Sequence, residues 1–137
     1  MPNTVLADTG PLVALFDQSD FYHKKIISFL QSGRFKFVTT TAVITEVSHL
    51  LDFSVETQIE FLQWILKEGV IIHEINFQDI SRIVELTRKY SDRPMDFADA
   101  TLVVVAEKTG IKKIVSIDSD FDIYRLPGKL KIENIFA

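Results

Sequence analysis

The sequence contains no cysteine. Disulfide bonds and thiolate-bound zinc are therefore excluded as supports of the fold. Long apolar runs are also missing, since segments such as LVVVA fall far short of the ~20 residues that span a bilayer. The opening residues, MPNTVLADTG, lack the basic region and the long apolar core of a secretory signal. These absences predict a cytoplasmic protein that has no contact with a membrane.

Basic residues are in the minority, with 15 Lys and Arg against 19 Asp and Glu and a net charge of -4. Nucleic-acid-binding domains usually carry a positive balance, so a nucleic-acid partner would have to meet a local basic patch. The 137 residues, 47% of them hydrophobic, have the composition of a soluble globular protein. No repeat or linker divides the chain, which predicts a single domain over residues 1–137.

Short apolar runs alternate with segments of helical periodicity along the chain. The predicted strands cover residues 4–7, 35–38, 70–75, 114–117 and 130–136, the last as an edge strand. The predicted helices cover residues 20–31, 42–52, 55–69, 78–90 and 94–109, with a short helical turn after Pro11. This alternation predicts a three-layer α/β/α sandwich around a mostly parallel sheet of about five strands.

The apolar faces of two of these helices follow from their spacing. The apolar face of helix 55–69 is predicted to consist of Ile59, Leu62, Ile65 and Leu66. The apolar face of helix 78–90 is predicted to consist of Ile80, Ile83, Val84 and Leu86. We expect these side chains to face the interior, although either face could equally contact a second copy of the chain.

Two aspartates come directly after apolar strands. Asp8 follows TVLA, and Asp118 follows IVSI. The carboxyl ends of parallel strands are where open α/β sheets bind ligands, although Asp also favours helix caps and turns. Ser116 shares a strand face with Asp118, so its hydroxyl is placed to contact a ligand or water.

Asp96 and Asp99 are three residues apart at the start of the predicted helix 94–109, in which Pro94 suits the first turn. The helix dipole favours anions there, so an ordinary acidic helix start is an alternative for Asp96. Asp99 differs because the helix around it is apolar on nearly every side, and a buried carboxylate requires a partner.

Glu46 lies between apolar neighbours on the predicted helix 42–52, where a solvated helical position is the alternative. Asp120 and Asp122 fall in the segment after Asp118 and suit a turn. His49, one helical step after Glu46, suits a surface or structural position better than a ligand.

Taken together, these acids indicate a metal site. Carboxylates ~4 Å apart repel each other by about 1–4 kcal/mol per pair in a cleft, so several of them would take up protons unless a cation lies between them. Oxygen ligands without Cys or His favour Mg²⁺ or Mn²⁺. Such an ion lowers the pKa of its bound water and shields charge on a phosphate oxygen. Metal-assisted phosphodiester hydrolysis is the chemistry that this pattern predicts.

Three segments, VLADTGPLVAL, TTTAVITEV and PMDFADATLVVVAEKTGIKKIVSIDSDF, resemble the PIN-domain family. That family consists of small metal-dependent ribonucleases and includes the VapC-type toxins of toxin–antitoxin pairs. The resemblance spans nearly the whole chain, and the acids occur in the family's order. It implies a Mg²⁺ or Mn²⁺ site, RNA as substrate, frequent homodimers and, for a toxin, an antitoxin protein that covers the cleft.

The resemblance also assigns roles to residues. It implies that Asp8, Glu46, Asp99 and Asp118 form the catalytic, metal-binding core. Asp96 is implied as an accessory acid, and Thr9 and Ser116 as residues that orient water or metal. Basic residues at the rim, for which Arg93, Lys112 and Lys113 are candidates, would hold the RNA backbone. The chain departs from many toxins in having DTG instead of DTN, and Gly10 has no side chain with which to make a contact.

Three other functions are compatible with parts of the pattern. A receiver-type phosphoacceptor domain would need an Asp after a central strand, and VIIHEI ends without one. An aspartic protease shares the DTG motif but is all-β. A PIN fold without catalysis, acting as a nucleic-acid-binding or scaffold protein, is the third, and the intact set of four acids argues against it.

Overall fold

A five-stranded parallel sheet forms the centre of the computed structural model, which describes residues 3–93 and 95–136. The strands of this sheet are β1 (Asn3–Ala7), β2 (Phe35–Thr39), β3 (Val70–Ile72), β4 (Lys113–Val115) and β7 (Glu133–Asn134). Two more strands, β5 (Arg125–Leu126) and β6 (Leu130–Lys131), pair with each other in antiparallel orientation. The helices are α1 (Thr9–Phe16), α2 (His23–Gln31), α3 (Thr41–Leu50), α4 (Val55–Leu66), α5 (Asp79–Lys89) and α6 (Phe97–Thr109).

The strand order in the central sheet is β3-β2-β1-β4-β7. The chain therefore moves outward from β1 in one direction to β2 and β3, and then returns to the other side of β1 for β4. Leu6 in β1 is paired with Val38 in β2 and with Ile114 in β4. In open α/β sheets a crevice forms at such a reversal, beyond the carboxyl ends of the strands. Here that crevice lies between the ends of β1 and β4.

The sheet is buried because helices cover it. The inner strands β1, β2 and β4 contribute fully buried side chains such as Val5, Leu6 and Ile114. Helix α6 is apolar nearly all round and is buried from Ala98 to Ala106. It ends at Gly110, whose φ of 77° is readily adopted by glycine. The predicted α/β/α sandwich with about five mostly parallel strands is confirmed. Within the described residues, no helix is both long enough and apolar enough to span a membrane.

Some predicted boundaries were wrong. Helix α6 begins at Phe97 with Asp96 as its N-cap, and not at residue 94. The predicted place of Pro94 in the first helical turn lies outside the described residues. The predicted strand 130–136 is divided into β6 and β7. Ile132 lies between these two strands and is buried. The pairing with β5 ends before Ile132, and the pairing with β4 at the edge of the central sheet begins after it.

The predicted apolar faces of α4 and α5 were partly wrong. Helix α4 directs Phe61 into the core, whereas Ile59, Leu62 and Leu66 are exposed. In α5, Ile83 and Leu86 are buried as predicted, whereas Ile80 and Val84 are exposed. Each helix carries more apolar residues than one buried face can hold, and the spacing alone does not show which of them the sheet covers.

Candidate functional site

Asp8 lies at the carboxyl end of β1 and forms the N-cap of α1. Its backbone N–H donates to Val115 O of β4 at 3.0 Å, which holds the ends of the two strands together. Its side chain is 5% exposed. The carboxylate is therefore fixed at the reversal point of the sheet, where a ligand is expected to bind.

Ser116 orients the Asp8 carboxylate. The Ser116 hydroxyl donates to Asp8 Oδ2 at 2.8 Å, and this contact is buried. Ser116 is itself held by Asn134 of β7, whose Oδ1 accepts from Ser116 N at 3.2 Å and whose Nδ2 donates to Ser116 O at 3.0 Å. The edge strand thus supports the residue that orients Asp8.

Asp99 is 6% exposed and lies in the first turn of α6. The Tyr124 hydroxyl donates to Asp99 Oδ2 at 3.0 Å. The Asp99 N–H in turn donates to Asp96 Oδ1 at 2.7 Å, so Asp96 caps the helix on which Asp99 is carried. Asp96 is more exposed than Asp99. The two acids thus have different environments, although they share one helix start.

Asp118 follows β4 and is exposed. Its Oδ1 accepts from the backbone N–H of Asp120 at 3.0 Å, which closes the turn in which Asp120 and Asp122 lie. The buried Phe121 ring fixes this turn to the core. Asp120 lies in this turn, as the sequence predicted, and it also lines the pocket next to Tyr124.

Glu46 reaches the site from α3 and is half-buried. Its Oε2 accepts a hydrogen bond of 2.8 Å from the hydroxyl of Thr9, the residue that follows Asp8. This contact joins α3 to the start of α1. Through Thr9, this hydrogen bond places Glu46 beside Asp8. The charge of Glu46 is not among the charges that raise the pKa values of Asp8, Asp99 and Asp118.

The aspartates influence one another's protonation. Burial raises the pKa of Asp8 from 3.8 to about 6, and the negative charges of Asp118 and Asp96 add to this against the hydrogen bond from Ser116. Burial, followed by the charges of Asp8 and Asp96, raises the pKa of Asp99 to about 8. Burial also raises the pKa of Asp118, with contributions from Asp120 and Asp96. Asp8, Asp96, Asp99 and Asp118 therefore form one electrostatic cluster.

The chemistry of this cluster fits a hard divalent cation. All of its donor atoms are carboxylate oxygens, which Mg²⁺ and Mn²⁺ prefer. No Lys or Arg among residues 3–93 and 95–136 forms an ion pair with any of these acids. In the same part of the chain, no three His, Cys, Asp or Glu side chains are already gathered as a formed metal site. A cation would relieve the repulsion that adds to burial in raising the pKa values of these carboxyl groups.

The three basic residues predicted to hold the RNA backbone lie at different places in the fold. Arg93 lines a pocket of about 220 Å³ together with Asp120, Ile123 and Tyr124, beside the aspartates. Lys113 begins β4 and Lys112 precedes it, so both lie at the end of the sheet opposite to Asp8. His49 is exposed near the far end of α3. Of the three candidates, only Arg93 is placed at the site.

Two residues at the site were not predicted. Tyr124 contacts Asp99 from 25 residues away, and Asn134 contacts Ser116 from 18 residues away. Asn134 lies in the predicted strand 130–136 and Tyr124 follows the acidic turn, but neither pattern indicates a contact with the acids. Only the folded position of β7 and of the turn after β4 brings them to the acids.

Comparison with known proteins identifies the family of this chain. The family model described as "PIN domain" matches residues 5–126. The chain belongs to the PIN domain family. The sequence resemblance to that family is thus confirmed.

Two known proteins are similar to this chain. The chain is 22% identical over 116 residues to Ribonuclease VapC26 of Mycobacterium tuberculosis (strain ATCC 25618 / H37Rv), a match that covers 83% of this chain and 86% of that protein. The crystal structure of Mycobacterium tuberculosis VapC20, described as a Sarcin-Ricin loop cleaving toxin, superposes with a TM-score of 0.78 at 22% identity. That match covers 86% of this chain and 92% of VapC20, and it shows that the two share a fold.

The DTG motif of this PIN domain has a steric explanation in the structure. A Cβ atom on Gly10 would lie 3.1 Å from Ile117 Cδ1 and 3.3 Å from Ile117 Cβ. Side chains larger than hydrogen would therefore press on the residue just before Asp118. Glycine at this position keeps the start of α1 close to the end of β4.

Proposed function

We propose that this PIN domain is a Mg²⁺- or Mn²⁺-dependent endoribonuclease that acts as the toxin of a toxin–antitoxin pair in the cytoplasm. The observation that carries the proposal is the cluster of Asp8, Asp96, Asp99 and Asp118 at the reversal of the sheet, where burial and then the charges of the neighbouring acids raise the pKa values of Asp8 and Asp99. The names of two similar proteins, a ribonuclease and a Sarcin-Ricin loop cleaving toxin, support it. None of the four acids predicted as the core is missing, so nothing favours an inactive PIN fold.

The residues have distinct roles in this proposal. Asp8 and Asp99 would hold the cation, with Asp118 and Glu46 completing the core and Asp96 as the accessory acid. When bound, the ion supplies an activated water and shields negative charge on the phosphate. Ser116 donates a hydrogen bond to one carboxylate oxygen of Asp8, and Tyr124 donates to one of Asp99. Both carboxylates are therefore oriented before the RNA binds. Thr9 does the same for Glu46.

RNA cleavage by the purified chain should require the divalent ion. We expect an end-labelled RNA to be cut in Mg²⁺ or Mn²⁺ and to stay intact in EDTA, because the carboxylates alone repel a phosphate. Adding back excess Mn²⁺ should restore cleavage. Cleavage by the purified chain that continues unchanged in EDTA would contradict the proposal, since the carboxylates would then act without a bound cation.

We further propose that two copies of the chain associate through α4. Its exposed side chains Val55, Ile59, Leu62 and Leu66 are spaced at helical intervals along one face, which we name the α4 stripe. Leu50 and Phe53, also exposed, lie just before α4 in sequence. Contiguous apolar surface of this kind is typical of an interface, and a twofold dimer needs one self-complementary patch.

A charge placed in the α4 stripe should dissociate this dimer. Leu62→Lys would put an ammonium group at the centre of the interface, where it has no partner, so we expect sedimentation to change from dimer to monomer. Val84→Lys, on the exposed face of α5, serves as the matched control and should leave the dimer intact. The α4 assignment would be wrong if Val84→Lys, and not Leu62→Lys, dissociated the protein.

A further inference from the structure

A pocket of about 400 Å³ lies between α5 and the β5–β6 hairpin. Four of the residues that line it are cationic, namely Arg82, Lys89, Arg125 and Lys129, and we refer to it as the basic pocket. The remaining lining residues are Leu126, Pro127 and Gly128. In a chain with a net charge of -4, this is a local concentration of positive charge.

The two lysines of the pocket are available to a ligand, whereas Arg125 Nη1 already donates to the main-chain oxygens of Asp122 and Tyr124. Arg82 is engaged by Glu107, with its closest contact at 2.8 Å, and by Glu85. For Lys89, Arg125 and Lys129, no Asp or Glu in the described part of the chain lies within 4.0 Å of the charged nitrogens. A pocket that keeps its cations without carboxylate partners is suited to an anion.

The hairpin holds Lys129 in a defined position. Gly128 and Lys129 both have left-handed backbone angles, with φ values of 77° and 62°. A non-glycine residue rarely adopts this conformation. Leu126 pairs with Leu130 on either side of the turn. The turn therefore fixes the backbone of Lys129 at the pocket, while its side chain is exposed to a ligand.

The basic pocket is joined to the aspartate cluster. Arg125 N–H donates to the Tyr90 hydroxyl at 2.9 Å. The Tyr90 ring packs edge-on against Tyr124, with ring centroids 5.0 Å apart, and Tyr124 donates to Asp99. Two tyrosine rings thus separate the pocket from the proposed metal ligands.

The helices bring Lys89 to the same side of the molecule. Asp79 at the start of α5 pairs with Lys108 near the end of α6, and Arg82 pairs with Glu107. The two helices are therefore antiparallel, and the end of α5 at Lys89 lies beside the start of α6. Arg93, in the connection between them, lines the small pocket next to Tyr124.

We propose that the basic pocket binds a backbone phosphate of the RNA whose scissile phosphate lies at the aspartate cluster. This inference rests on the proposed ribonuclease function. An acidic cluster repels a polyanion, so an adjacent cationic pocket is needed to hold the strand in place. Lys89 and Lys129 carry the charge of the pocket, and Arg125 links it to the tyrosine pair. An acidic segment of a protein partner is a weaker fit, because nothing requires it to lie beside the metal site.

The test compares two double substitutions that remove the same charge. Lys89→Gln/Lys129→Gln alters the basic pocket, and Lys112→Gln/Lys113→Gln alters two exposed lysines at the opposite end of β4. Binding of a single-stranded RNA oligonucleotide is followed by fluorescence anisotropy in EDTA over a range of salt concentrations. Each phosphate contact on a single strand contributes ~0.7 to the slope of log K against log salt. We expect the slope to fall by about 0.7, the contribution of the one phosphate that the pocket holds, and only for the pocket variant.

Two further comparisons make the outcome decisive. Lys89→Arg/Lys129→Arg keeps both charges and should retain the wild-type slope, which separates charge from any change in folding. Equal slopes for wild type and the pocket variant, or equal losses in both glutamine variants, would overturn the assignment of the pocket. A wild-type chain that binds no RNA at low salt would overturn the ribonuclease proposal as well, so the two failures are distinguishable.

Discussion

An Asp99→Asn variant is expected to cleave RNA more slowly than the wild-type chain by on the order of a hundredfold or more. Asparagine keeps the size of the side chain but removes the negative charge, and one of its two terminal atoms becomes a donor that cannot bind a cation. The Tyr124 hydroxyl could still donate to the remaining oxygen. Single-turnover cleavage in saturating Mg²⁺ measures the effect on the chemical step.

Metal binding distinguishes this loss from misfolding. Calorimetric titration with Mn²⁺ should show weaker binding to Asp99→Asn. Its melting temperature without metal at neutral pH should not fall, because the Asp99 carboxyl, with a pKa of about 8, is largely uncharged there and asparagine is uncharged as well. Asp52→Asn, which removes an exposed carboxylate just beyond α3, is the matched control and should cleave like the wild type. If Asp99→Asn cleaved within about twofold of Asp52→Asn, the assignment of Asp99 as a ligand would be wrong.

The acids at the strand ends were predictable because two simple rules place them. Parallel strands present their carboxyl ends at one edge, so residues that directly follow apolar runs meet there. Asp8 and Asp118 satisfy this rule from the sequence alone. The burial of Asp99 was predictable for a different reason, since α6 is apolar on nearly every side and leaves no solvated face for a charge in its first turn.

The supporting hydrogen bonds could not be predicted in the same way. The contacts of Thr9 with Glu46, of Ser116 with Asp8 and of Tyr124 with Asp99 join residues 25 to 108 positions apart. Each depends on the packing of two elements whose relative position the local pattern does not contain. The same limit applies to the last strand, in which alternation over residues 130–136 gave the right kind of element but missed the change from the hairpin to the central sheet.

Helix α4 illustrates why periodicity left its inner face undecided. The buried Phe61 and the exposed Ile59, Leu62 and Leu66 are all strongly apolar. Phe61 packs edge-on against Phe16 of α1, a contact between distant segments that periodicity does not contain. Surplus apolar residues on a helix are therefore a signal of association, which the sequence can show only as an ambiguity.

Without metal, the free energy of unfolding is expected to fall as the pH rises from about 5 to about 8. The folded-state pKa values of Asp8 and Asp99, about 6 and about 8, lie above the ordinary value of 3.8. Over this range the native chain holds protons that the unfolded chain has lost, so raising the pH favours unfolding. For each pH unit over which the native chain retains one proton that the unfolded chain has lost, the free energy of unfolding falls by about 1.4 kcal/mol. Asp99 alone thus contributes up to about 4 kcal/mol, and Asp8 about 1 kcal/mol more.

Urea denaturation in EDTA at the two pH values measures this difference. The double variant Asp8→Asn/Asp99→Asn should lose most of the pH dependence and should be more stable than the wild type at the higher pH, because it carries neither buried charge. Saturating Mg²⁺ should also flatten the wild-type profile, since an ion that binds the ionised carboxylates stabilises the native state. A metal-free wild type that gained stability over this range would show that the two carboxylates are ionised without cost, and the electrostatic basis for the metal site would then be lost.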